Sequence, residues 1–251
     1  GFIWPPFLGR DAGDMANILV FGLVRNAAEL NRVMPALRES LYDGMRRWNI
    51  EPVGLMQLRL LDASIFCRTP VRSLDELRRM KLRVGTREQV DTFSALGVAA
   101  QIIPQQELYA ALQTGVVDCA LYPPRIVHTI SMQEVTRHAI STGFAFPPTP
   151  YVVMASQARW RALSEANRNH LRAAVAAMEQ RSARFEQDAA ADEEARERLR
   201  GMGVTFYGTL TEAEQQAIRT AALATWERLM REAGGQGPAI RARVQALLTG
   251  G

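Results

Sequence analysis

Ser73-Leu74-Asp75-Glu76-Leu77, Met80-Lys81-Leu82-Arg83-Val84, Phe93-Ser94-Ala95-Leu96-Gly97 and Glu107-Leu108-Tyr109-Ala110-Ala111-Leu112-Gln113-Thr114-Gly115-Val116-Val117-Asp118 follow one another in a stretch that ends at Pro123. Ser73 with Glu76 three residues later is a capping-box pattern, and it opens a short helix. Beyond it, periodicity alternates at short intervals: strand Lys81–Val84, helix Arg87–Leu96, strand Ala100–Ile103, helix Gln105–Gln113, strand Val117–Leu121. Short strands separated by helices of this length predict an α/β sheet with crossover helices. Gly97 and Gly115 stand where a helix ends on a left-handed residue, a conformation glycine adopts without a Cβ clash.

The flanks extend the pattern. Upstream, Asp14–Val24 reads as helical. Ala28–Trp48 follows with Leu30, Val33, Met34, Leu37, Leu41 and Met45 at helical spacing, and Pro35 predicts a kink or a later start. Val53–Leu61 and Ser64–Cys67 are strand candidates. Downstream, strands Ala139–Thr142 and Tyr151–Ser156 are separated by Phe146-Pro147-Pro148-Thr149-Pro150, a loop or crossover because proline does not fit a central strand. Ser164 caps a long helical run to about Arg200, whose apolar positions thin out after Phe185, so its second half reads as a solvated arm. Gly201 and Gly203 end it. Strand Val204–Tyr207, a second capping box at Thr211–Glu214, helix Glu212–Ala233 and a last helix to Leu248 complete the chain.

Composition narrows the classes. The chain has 251 residues, enough for one large domain or two modest ones, and its 47% hydrophobic content is that of a globular protein rather than a disordered one. The longest apolar stretches, Ile18–Val24 and Tyr151–Ala155, fall far short of the ~20 residues of a spanning helix. Lys81 is the sole lysine among 30 basic residues. The arginines alternate with acids, as in Glu193–Arg200, so no one-sign surface for nucleic acid results. Cys67 and Cys119 are too distant in sequence for a CxxC motif. They either pair in an oxidising compartment or serve as two small buried hydrophobes, and the second reading is preferred because spacing does not show proximity. His128, His138 and His170 lack metal-ligand spacing, and no metal centre is expected.

No catalytic arrangement emerges. The chain carries no GxSxG elbow, HExxH, Walker-A loop or GxGxxG after a strand, so no cofactor is expected. The glycines of Arg198-Leu199-Arg200-Gly201-Met202-Gly203 end a helix instead of beginning one, the wrong polarity for phosphate. The opening Gly1-Phe2-Ile3-Trp4-Pro5-Pro6 has no basic n-region or cleavage site, and Phe2–Leu8 reads like the middle of a domain.

The order of the motifs, D-x-x-x-x-x-K-x-R-V through A-L-G to E-x-Y-x-A-L-Q-T-G-x-V-D in outline, resembles the solute-binding proteins of tripartite ATP-independent periplasmic (TRAP) transporters, of the C4-dicarboxylate-binding type. The likeness is strongest over Ser73–Asp118. It continues more loosely through Thr142-Gly143 and the long helix from Ser164, and Pro5-Pro6-Phe7-Leu8 is similar to the family's "PFLF" segment. The resemblance implies a two-lobed, periplasmic-binding-protein-like α/β fold with crossing strands and a long helix. Residues 1–60 with about 149–188 would form the first lobe and 61–148 with about 189–251 the second, with the ligand cleft between them. It also implies a periplasmic receptor without enzymatic activity, a small organic acid as ligand and membrane permease subunits as partners. Family members carry a further βαβ-like segment ahead of "PFLF", which this chain is expected to lack.

The same resemblance places the family's carboxylate anchor, the arginine of K-x-R-V, on Arg83. The chemistry fits: a guanidinium stays charged and its planar fork meets a carboxylate in two parallel hydrogen bonds. Arg83 also falls at the carboxyl end of a predicted strand, where open α/β sheets present ligands. Departures from the family pattern define the other candidates. Tyr122 replaces an asparagine, Gln105 an aromatic and Phe144 a common histidine, while Gly85 replaces a proline and leaves Thr86 as a hydroxyl donor. A second arginine would fall near Ala63 and is absent unless Arg59, Arg68 or Arg87 substitutes. These changes predict a ligand with one carboxylate and a less polar remainder. Two other readings use the same scaffold: a ligand-sensing regulatory domain, and an α/β enzyme acting on an organic acid.

Overall fold

The computed structural model describes residues 1–57, 60–146, 148–182 and 185–249, without the side chains of 185–189. Its strands are β1 (Phe2–Ile3), β2 (Ile50–Met56), β3 (Ser64–Cys67), β4 (Lys81–Val84), β5 (Ala99–Ile102), β6 (Cys119–Tyr122), β7 (His138–Ser141), β8 (Tyr151–Ser156) and β9 (Thr205–Thr209). Its helices are α1 (Gly13–Ala16), α2 (Ala27–Arg47), α3 (Leu74–Leu77), α4 (Arg87–Ala95), α5 (Gln105–Thr114), α6 (Pro124–Val127), α7 (Gln157–Ala162), α8 (Glu165–Ser182), α9 (Phe185–Gly201), α10 (Glu212–Ala233) and α11 (Gly237–Thr249).

Among the described residues the strands form two sheets, ordered β1-β8-β2 and β5-β4-β6-β3-β7-β9. The molecule is therefore two-lobed and α/β. In the larger sheet β4 runs parallel to both β5 and β6, while β3 is antiparallel to β6 and β7. Two-residue alternation divides its core. Leu82, Val84, Cys119 and Leu121 face one layer, and Phe66, Ala120 and Tyr122 face the other. A separate core gathers α2, Ile18, Leu19, Val20, Leu23, Val24, Leu55 and Val152, together with Trp226 and Met230 of α10 and Ile240, Val244 and Leu248 of α11.

Two segments pass between the sheets side by side. Ala63 N–H donates to Phe144 O, Thr142 N–H to Ala63 O and Phe146 N–H to Leu60 O, so residues 60–63 and 142–146 form a short ladder of their own. The proline-rich stretch expected to be a loop or crossover lies on this second passage, with Pro147 outside the described residues. Helix α9 braces the first passage. Asp192 Oδ2 accepts from Leu61 N–H at 2.9 Å, and Asp62 accepts from Ser64 and Ser141 hydroxyls and from Arg196 Nε. The solvated arm expected for this part of the chain is thus corrected: Asp192, Ala195 and Leu199 are buried. Hydropathy misses the contact because part of its buried side is a carboxylate serving the crossover.

Three further expectations change. Helix α1 ends at Ala16, and Gly22 has φ +89°, which a right-handed helix does not contain. Ile18–Val24 is instead a fully buried irregular segment, where apolar residues on every side leave no period to read. Helix α2 runs unbroken through Pro35. Cys67 and Cys119 form a disulfide. They sit opposite one another in the antiparallel β3–β6 register, a proximity set by topology rather than spacing. Gly97 and Gly115 do take positive φ, +79° and +78°.

Candidate functional site

The parallel strands β4, β5 and β6 present their carboxyl ends at one edge of the larger sheet, where chain ends and helix starts leave a crevice. A cleft of about 490 Å³ lies there. Arg83 and Gly85 follow from β4, Ile102, Ile103 and Gln105 from β5, and Tyr122, Pro123 and Ile126 from β6. The facing wall comes from the region of the smaller sheet: Trp4, Phe7, Thr149 and Tyr151. Trp4 is fixed by donation of its indole N–H to Thr149 O at 3.0 Å.

Arg83 is 5% exposed. Its Nε donates to Ile103 O at 2.9 Å, and its guanidinium carbon lies 5.6 Å from the centre of the Tyr122 ring. No carboxylate among the described residues pairs with it. Burial lowers its pKa, and proximity to Tyr122 acts in the opposite direction. The Nε bond uses one edge of the fork, so the terminal nitrogens remain as the groups that address the cleft. Gly85 adjoins them: a Cβ at that position would lie 4.0 Å from each, in ordinary contact.

Of the residues proposed from sequence, Arg83, Tyr122 and Gln105 come together on this cleft. Thr86 and Phe144 do not. Thr86 is buried and donates its hydroxyl to Glu88 Oε1 at 2.8 Å, an interaction within the first turn of α4. Phe144 is 0% exposed, with its ring centre 5.9 Å from that of Phe21, and Phe21 stacks on Phe93 at 5.7 Å. An aromatic cluster holds it in the core. Arg68 and Arg87 are also absent from the cleft lining, and Arg87 pairs with Asp91. Arg59 lies outside the described residues.

Sequence reasoning missed Gln89 and the aromatic wall. Gln89 is 1% exposed on the cleft floor, with Oε1 accepting from Gly85 N–H at 2.9 Å and Nε2 without a partner among the described residues. The readable signal for Gln89 was its place one helical turn beyond the strand-end glycine. For Trp4, Phe7 and Tyr151 nothing local pointed to a cleft.

The neighbouring Glu88 is fully buried, and loss of solvation pushes its carboxyl up to about 8, outweighing hydrogen bonds from Thr86 and the Phe21 backbone N–H. The folded chain therefore holds a proton that the unfolded chain releases near the ordinary value of 4.5. The resulting stabilisation is complete below the unfolded value and is lost as pH rises through about 8. Asp192, raised by burial to about 6, acts with the same sign in a lower window. Melting temperature is expected to fall between pH 5 and pH 9. Glu88→Gln should flatten the upper part of that slope and melt above the wild type at pH 9, and an unchanged profile would show that Glu88 does not titrate this way.

The chain matches bacterial extracellular solute-binding protein, family 7, over residues 23–233. It belongs to that family. A solute-binding protein of Albidiferax ferrireducens is 30% identical over 191 residues, 68% of this chain and 55% of the relative. The C4-dicarboxylate-binding periplasmic protein DctP of Rhodobacter capsulatus is 29% identical over 150 residues, covering 59% of this chain and 44% of that protein. The family 7 chain thus spans about half the length of these curated relatives. A crystal structure of a TRAP periplasmic solute-binding protein from Desulfovibrio salexigens, with orotic acid bound, superposes with TM-score 0.86 at 18% identity, over 98% of this chain and 78% of the other. The two-lobed architecture and the resemblance carried by the Ser73–Asp118 motifs are both established by these matches. Among the described residues no helix is long and apolar enough to cross a membrane.

Proposed function

We propose that this family 7 protein is an extracytoplasmic receptor of a TRAP transporter, which captures a small organic acid between its lobes and delivers it to membrane permease subunits. The observation that carries this reading is Arg83: a nearly buried guanidinium in an inter-lobe cleft with no carboxylate among the described residues to neutralise it. Burying a charge without a partner is costly, so the site is completed by an anion from outside. Tyr122 braces the anchor, and Gln105 reaches the ligand from the start of α5. The process requires only preferential binding to the closed form and no covalent chemistry. Periplasmic residence is supported by the Cys67–Cys119 disulfide, a bond that persists in oxidising compartments.

For the lobes, we propose residues 1–60 with about 149–188 as the first and 61–148 with about 189–236 as the second. Helix α11 is reassigned to the first lobe, because its apolar side shares a core with α2. The functional test is a thermal-shift series with mono- and dicarboxylates and highly hydroxylated sugar acids. A ligand that binds only the native state raises the melting temperature with its concentration. Monocarboxylates are expected to do so. Capture of a highly hydroxylated sugar acid with no response to any less polar monocarboxylate would remove the reading of the ligand, and silence towards all acids would remove the receptor reading.

A further inference from the structure

The cleft's walls carry more information than its anchor. Arg83 is the sole charged side chain among the described residues that line it, so these residues offer a cation to one ligand carboxylate and not to two. Aromatic rings stand on both sides. Trp4 and Tyr151 lie 6.3 Å apart with planes inclined by 30°, and Phe7 meets Trp4 edge-on at 5.1 Å. Opposite them, Tyr122 and Phe146 have ring centres 6.2 Å apart. Phe7 is 72% exposed at the edge of the cleft and has no core to serve.

We infer that the ligand is an aromatic monocarboxylate, with its carboxylate on Arg83 and its ring between the Trp4–Tyr151 wall and the Tyr122–Phe146 wall. This rests on the receptor reading above and specifies its substrate class. Tyr122 and Phe146 are inclined by 57°, so a ligand ring between the walls meets rings both face-on and edge-on, contacts that an aliphatic ring of the same size does not make. Tyr122, already beneath the guanidinium, joins the two halves of the site: the cation holds the acid end and the tyrosine borders the ring end. Phe7 then covers the ring from the solvent side.

Isothermal titration of the whole chain with phenylacetate, cyclohexylacetate and succinate tests the assignment. Phenylacetate is expected to bind about tenfold more tightly than cyclohexylacetate, the upper range for aromatic pairing, and more tightly than succinate. A pocket that senses only apolar area would not favour the flatter, less apolar ring. Phe7→Ala, at an exposed position that leaves the core intact, should reduce the phenylacetate preference, and Trp4→Leu should abolish it while cyclohexylacetate binding persists. Equal or tighter binding of cyclohexylacetate or succinate overturns the assignment, as does a preference unchanged in both variants or no binding of any of the three. Undiminished binding of these acids by Arg83→Ala would remove Arg83 as the anchor and overturn the assignment too, whereas silence towards every acid of the thermal-shift series would overturn the receptor reading itself, a separate result.

Discussion

Arg83→Ala is expected to weaken carboxylate binding by about a hundredfold or more, with the unliganded protein melting close to the wild type. Truncating one side of a buried, hydrogen-bonded charge pair costs about 2–5 kcal/mol, which sets this scale. The unliganded protein behaves differently because it gains nothing from an unneutralised guanidinium. The variant loses the bond to Ile103 O and the contact with Tyr122, but it also loses the cost of burying a charge. Arg83→Lys should recover only part of the affinity, since an ammonium keeps the charge and gives up the planar fork. Titration of a bound acid against all three proteins, with their melting temperatures in parallel, separates these effects. A uniform fall in stability with no selective loss of binding would mean that Arg83 supports the sheet rather than the ligand.

Removal of the Cys67–Cys119 bond is the second large effect expected. The two residues are 52 apart in sequence, and closing a loop of that length restricts the unfolded chain by about 4 kcal/mol in the chain-entropy account. For a chain of this size that corresponds to a fall in melting temperature of about 8–16 °C. The double variant Cys67→Ala/Cys119→Ala, compared with wild type in non-reducing and reducing buffer, measures it. Wild type in strong reductant should approach the variant. Equal melting of both proteins without reductant would show that the bond constrains nothing. The bond fastens β6, which ends on Tyr122, to β3, so affinity should also be checked in the variant.

Comparison of sequence and structure shows which physical signals are local. The strands and helices of Ser73–Asp118 were legible because each is short, amphipathic and punctuated by its own cap or glycine. Arg83 and Tyr122 came from the family resemblance instead, and the structure supplies their reason: two-residue alternation puts Leu82 and Val84 on one face with Cys119 and Leu121, leaving Arg83 and Tyr122 for the other. Phe144 and Thr86 failed because a matched position does not fix a side chain's direction. One joined the Phe21–Phe93 cluster and the other turned to Glu88. The pairing of Cys67 with Cys119, the burial of α9 and the aromatic wall all depend on which distant segments meet, and no window of sequence contains that.

The ladder between residues 60–63 and 142–146 has a mechanical corollary. Two segments bonded to one another and braced by Asp192 and Arg196 would serve as an axle in any closure of the lobes, because bending at this point must either keep the bonds Leu60–Phe146 and Ala63–Phe144 or break them together. Rotation about an axle displaces each atom in proportion to its distance from the axis. Leu60 and Phe146, which belong both to the axle and to the cleft lining, would scarcely move, while Phe7 and the 49%-exposed Ile102 on the opposing rims would sweep the longest arcs. A ligand seated deep would therefore meet a nearly fixed surface on first contact, and the outer rims would supply the travel.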